Sequence, residues 1–278
     1  MPVNTGISPR ARALSAALRT ARERSSLTQR DVASKLDVQY TTISHWETGR
    51  RAPNTEDVAS LLAVLGVRNE ERERILELAR RASESDWLVA GVRGATQQLA
   101  GVMECERTAN AITDWSPWLV PGLLQTTDYA RAVIGAGITD YGAVEGKLTL
   151  RLARRDVLSR VRFTALLGEP ALRQVIGGPQ VMVEQLRSLT RPAANVTVRI
   201  VPIGTGWHPG LAGPFIIYEF PDADTIVHLE HHRSGAFVYN DEDVAEYGQA
   251  ARVVGEEALS PADSAEFIRS VLAKLEKG

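Results

Sequence analysis

A single cysteine, Cys105, stands in 278 residues. It has no partner for an internal disulfide and cannot build a Cys-rich zinc site, so a disulfide-held secreted scaffold and a zinc ribbon are both excluded. Apolar runs stay far short of the ~20 residues that a membrane span needs, and Met1 to Arg12 has no charged-then-apolar leader pattern. There is no Gly-x-Ser-x-Gly elbow. Gly168, Gly177 and Gly178 have neither the spacing nor the following Lys-Ser or Lys-Thr of a phosphate loop. These absences give no support to hydrolase or nucleotide-binding chemistry. The expectation is a soluble, cytoplasmic protein that is not an enzyme and carries no cofactor.

What is present is enough apolar material, 44% of the chain, to build cores in about two domains. Charge is unevenly spread. The chain as a whole is at −2, yet residues 1–81 hold 14 Lys and Arg against 10 Asp and Glu, a net of +4, and the remainder is at −6. A basic head on an acidic body is the pattern expected when only one domain meets phosphates.

The head reads as four or five helices. Ser8-Pro9 combines an N-cap with proline at the first helical position, and Leu14, Leu18 and Ala21 form one stripe behind it. Thr28 and Asp31 form a capping-box pair that opens a short second helix carrying Val32, Ala33 and Leu36. Asp37-Val38 interrupts the pattern. A third helix runs from Gln39 to Glu47, with Ile43 and Trp46 facing inward and Tyr40, Thr41, Ser44, His45 and Thr48 left on a polar outer face. Gly49 ends it, and Asn54 or Thr55 caps a fourth helix with Val58, Leu61, Leu62 and Leu65 buried. Two short helices, a tight turn and a polar-faced helix make a helix-turn-helix, which places its second helix in the DNA major groove.

The run LTQRDVASKLDVQYTTISHWETGRRAP, Leu27 to Pro53, resembles the DNA-binding domain of phage repressors and of xenobiotic-response-element regulators. The resemblance implies roles position by position. Gln29 reaches the DNA backbone and the edge of the site. Tyr40, Thr41 and His45 read base edges, with Gln39, Thr42 and Ser44 beside them. Gly49, Arg50 and Arg51 grip phosphate, and Arg22 and Glu47 form an ion pair that holds the reading helix at its angle. Tyr40 departs from the family pattern, because tyrosine cannot make the bidentate base contact that arginine or glutamine makes there.

The sequence places a boundary near residue 83, with residues 84–278 as an α+β domain containing a mixed sheet of about five strands. Helical segments are expected over 70–82, 97–111, 142–160 and 179–189, and another opens at Thr127. Strands are expected over 161–167, 195–203, 213–220, 225–232 and 236–239, the first two parallel and the last three an antiparallel meander. Ser260-Pro261-Ala262-Asp263 launches a terminal helix with Phe267, Val271 and Leu275. The strings VPGLLQTTDYARA, RLARRDVL, GEPALRQVIGG, QLRSL, NVTVRIVPIGTG, GPFIIYEF and ALSPADS are similar to the C-terminal domain of WhiJ-type actinobacterial regulators. That resemblance implies a transcriptional regulator paired with a small acidic protein of the BldB-like class.

His228, Glu230 and His232 alternate along one strand and share a face, a stripe that would suit a zinc or iron ion. Such a stripe is more often a polar face, and no metal is expected. Trp115, Trp118 and Tyr129 are candidates to line a small-molecule pocket or simply to fill a core. The function expected is sequence-specific regulation of transcription by a homodimer on double-stranded DNA. The alternatives are an antitoxin-like or scaffold module acting with the small acidic partner, and a ligand- or metal-sensing repressor.

Overall fold

The computed structural model describes residues 9–80, 87–90, 92–138, 140–221, 223–231 and 234–277. The boundary expected near residue 83 and the cap expected at Ser8 lie outside the described residues. Residues 9–80 are helical: α1 (Pro9–Arg24), α2 (Gln29–Leu36), α3 (Tyr40–Thr48), α4 (Thr55–Val64) and α5 (Asn69–Arg80). An α+β region follows in sequence: β1 (Trp87–Ala90), α6 (Val92–Thr108), β2 (Ala111–Ser116), α7 (Thr127–Gly135), α8 (Tyr141–Ala153), β3 (Arg162–Gly168), α9 (Pro170–Arg173), α10 (Pro179–Leu189), β4 (Val196–Val201), β5 (Phe215–Glu219), β6 (Ile226–His231), β7 (Ser234–Val238), α11 (Asp241–Glu257) and α12 (Pro261–Leu275). Among these, no helix is long and apolar enough to cross a membrane.

The chain divides into two compact units. One comprises residues 1–108 with 222–240. Its helical part buries Leu14, Leu18, Ala21, Val32, Ile43, Trp46, Val58, Leu61, Leu62 and Ile75 in one core, the stripes that the 3.6-residue period marks in the sequence. α1 is its spine and packs against α3, α5 and α6. The same unit holds three antiparallel strands in the order β1-β7-β6, with Trp87 opposite Phe237 and Val227 opposite Val238. α6 packs on β1 and β7 as well as on α1. Cys105, in α6, is fully buried, and burial pushes its thiol up to about 12.

The other unit comprises residues 109–221 with 241–278. Its four strands run β5-β2-β3-β4, parallel across β2-β3 and β3-β4 and antiparallel across β5-β2. The parallel β3-α10-β4 crossover is the strand-helix-strand unit expected from the change of period at residue 161. α12 packs on α10 and β4, as its apolar stripe requires, and Ser260 caps it by accepting from the Asp263 amide at 3.1 Å. Several elements differ from expectation, among them β1 and the short α9, which the sequence reading did not contain. β2 falls in a segment read only as apolar, and it is a strand because β3 and β5 supply a ladder on each side. α11 is absent from the sequence reading, since Val254 is its one fully buried residue and no apolar stripe announces it. The helix expected over 142–160 ends at Ala153 and continues as a 3₁₀ segment, Arg154–Ser159.

Two predictions follow from this packing. A methyl group added at Gly210 would sit 2.7 Å from Val254 Cγ2 and 2.8 Å from the Trp115 ring, so Gly210→Ala should lower stability by ~1–3 kcal/mol in urea unfolding. With its thiolate disfavoured and its side chain enclosed, Cys105 should resist a thiol reagent at pH 8 in the native protein and react at once in denaturant.

Candidate nucleic-acid interface

The local chemistry that shapes α2 and α3 begins at Thr28. Its hydroxyl accepts from the Asp31 amide at 3.2 Å, and the Asp31 carboxylate accepts from the Thr28 amide at 2.9 Å, closing the expected capping box. The hydroxyl and amide of Thr28 hold the Asp31 carboxyl below its usual range. α2 stops at Asp37, whose left-handed φ of 54° turns the chain, and Gln39 in extended conformation starts α3. α3 stops at Gly49, where φ is 78°, a conformation that glycine adopts at little cost.

Ile43 and Trp46 are buried beneath α3, which fixes its outer face. Gln39, Tyr40, Thr41 and Thr48 are exposed, and Thr42, Ser44 and His45 are half-buried. The helical repeat brings Thr41, Ser44, His45 and Thr48 onto one stripe. The Thr48 hydroxyl donates to the Ser44 carbonyl at 2.7 Å. Arg50 and Arg51 follow the helix as exposed cations, whereas Gly49 itself is buried.

Glu47 sets the tilt of this face. Its carboxylate is almost wholly enclosed, with 1% of the side chain exposed. Arg22 of α1 grips it from both nitrogens of a fork, Nε to Oε1 at 2.7 Å and Nη2 to Oε2 at 3.0 Å. Hydrogen bonding to Glu47 is the chief reason the Arg22 guanidinium is held even more firmly protonated than usual. Gln29, expected to reach toward DNA, donates its amide to Glu47 Oε2 at 2.7 Å. Three helices therefore meet at one carboxylate.

Sequence reasoning passed over Arg30. Its guanidinium carbon lies 5.8 Å from the centre of the Tyr40 ring, and both side chains are exposed. The signal available was its place in the first turn of α2, beside the capping box and away from the buried Val32 and Ala33. Among the described residues, Arg30, Arg50 and Arg51 have no carboxylate ion-pair partner, whereas Arg19, Arg22 and Arg24 each do.

Elsewhere the site candidates separate. His228 is buried against the Phe237 ring, 4.6 Å between centres, Glu230 is exposed, and His232 lies outside the described residues. No group of three His, Cys, Asp or Glu suited to a metal occurs among the described residues. Trp115 and Tyr129 are core residues, with Trp115 Nε1–H donating to the Gly210 carbonyl at 2.8 Å, while Trp118 is exposed.

A family model described as a helix-turn-helix domain matches residues 13–75, and one described as a domain of unknown function, DUF5753, matches residues 99–270. No curated protein matches the chain. The helix-turn-helix match supports a DNA-binding regulator. Replacing Glu47 by alanine should leave Arg22 and Gln29 facing a void and cost ~3–5 kcal/mol, measurable as a lower urea midpoint. A loss below ~1 kcal/mol would show the pair to behave as a surface ion pair.

Proposed function

Since the chain belongs to the family defined by the DUF5753 domain and has a helix-turn-helix domain ahead of it, we propose that it is a sequence-specific transcriptional regulator of the xenobiotic-response-element type. The observation that carries this reading is the outer face of α3, polar and open, bordered by the cations Arg30, Arg50 and Arg51, which have no carboxylate partner among the described residues. Thr41 and His45 read base edges from this stripe. Tyr40 meets a phosphate or a thymine methyl, with Arg30 packed against its ring supplying a guanidinium that α3 lacks. Arg50 and Arg51 hold phosphates, and Gln29 acts through Glu47 as part of the support for α3.

One such helix reads too few base pairs to select a site in a genome, so the protein acts as a homodimer on a near-palindrome. The DUF5753 region, which resembles the C-terminal domain of WhiJ-type regulators, supplies dimerisation and regulation in this reading, and the protein performs no reaction and works in the cytoplasm.

A second reading, an interaction module acting with a small acidic partner of the BldB-like class, is favoured by one observation. Trp118, Ile203, Trp207 and Leu211 are exposed in the second unit, Trp207 to 83%. Purification with that partner and without any affinity for duplex DNA would support it over the first.

The test begins with enrichment of duplexes from a random library by the full chain, followed by fluorescence anisotropy on the enriched duplex and on a scrambled one. Thr41→Ala and His45→Ala should each cost ~1–3 kcal/mol on the enriched duplex and relax preference at one base pair. Arg50→Ala should weaken both duplexes alike and reduce the salt slope by about one. Equal losses on both duplexes for all three variants would refute the assignment of readers, and failure to enrich any duplex would refute the function.

A further inference from the structure

α6 lies against α1 and carries Glu104, a carboxylate that is 7% exposed. Two arginines converge on it. Arg107, one turn along α6, donates from Nε at 2.8 Å and from Nη2 at 2.7 Å. Arg19 of α1 donates from Nη2 to both carboxylate oxygens, at 3.2 and 3.3 Å. The other terminal nitrogen of Arg19, Nη1, donates to the main-chain oxygen of Glu47 at 3.3 Å.

That oxygen belongs to the last turn of α3, where carbonyls have no partner within the helix and the helix dipole favours a cation. One guanidinium thus joins α6 to the C-terminal end of the helix whose outer face is the proposed reading surface. The side chain of Glu47 is held from α1 and α2, and its carbonyl is held from α6 through Arg19. Glu104 falls inside the region that matches DUF5753, whereas Arg19 and Glu47 fall inside the helix-turn-helix match.

We propose that Arg19 and Glu104 form a clamp by which α6 fixes the end of α3, so that a displacement of α6 changes operator preference without touching DNA. Arg19 and Glu104 are positioning residues. The proposal rests on the DNA-recognition reading above. It assigns α6 the role of conveying the state of the DUF5753 region to the reading helix. A planar fork is required, because one group must bond a carboxylate and a carbonyl together. Lysine preserves the charge but presents a single nitrogen.

The experiment uses the full chain with Arg19→Lys, Glu104→Gln and the double variant, each measured on the enriched and the scrambled duplex. Hydrogen exchange is followed over residues 44–51, where the Arg51 amide bonds to the His45 carbonyl at 3.3 Å. Each single variant should lose about five- to tenfold in affinity for the enriched duplex and keep its affinity for the scrambled one. The double variant should be no worse than either single one, and exchange over 44–51 should quicken while α2 stays protected. Retained scrambled-duplex affinity also reports that the variants fold. Unchanged preference, equal losses on both duplexes, or additive losses in the double variant would overturn the clamp. If the wild-type chain enriches no duplex, the recognition reading fails, and unchanged exchange over 44–51 in Arg19→Lys would separately overturn the clamp.

Discussion

Glu47 is a buried anion at the end of a short helix, and an isolated carboxylate in that position would be prohibitively unfavourable. The structure offsets its desolvation with a bidentate arginine from α1 and an amide from α2, and it meets the adjoining carbonyl with a second arginine from α1. α3 has nine residues, too few to be stable alone in water, so its conformation and angle both come from such contacts and from Ile43 and Trp46. An outer face can present groups to a ligand only if its inner face is held. The polar stripe of α3 is as well defined as the grip on Glu47 allows.

The same logic explains why cations around the helix-turn-helix divide into two kinds. Arg19, Arg22 and Arg24 have carboxylate partners and serve the fold, whereas Arg30, Arg50 and Arg51 have none among the described residues and border the open face of α3. Net charge by itself does not make this distinction. A +4 head is a statement about the sum, while the geometry shows which of its members have carboxylate partners among the described residues.

The compact units cut across chain order. β6 and β7 come late in sequence yet belong with residues 1–108, beside β1 and α6. α6 therefore belongs at once to the unit that contains α3 and to the stretch that matches DUF5753. A single boundary near residue 83 leaves this overlap out, because strand pairing between distant segments has no local signature.

Local rules determined most of the helix-turn-helix. The capping box at Thr28 and Asp31, the left-handed stop at Gly49, the inward pair Ile43 and Trp46, and the Arg22–Glu47 partnership were all legible, since each depends on residues close in sequence or on the family resemblance. The β3-α10-β4 unit was legible for the same reason, its period changing visibly. Tertiary structure alone decided the rest. β2 is a strand through its neighbours, α11 is a helix without an apolar stripe, Gln29 turns inward to Glu47, and Arg19 meets Glu104 across 85 positions. Periodicity and capping are written into adjacent residues, but the partner of a polar side chain is settled only when distant elements pack and leave its donors somewhere to go.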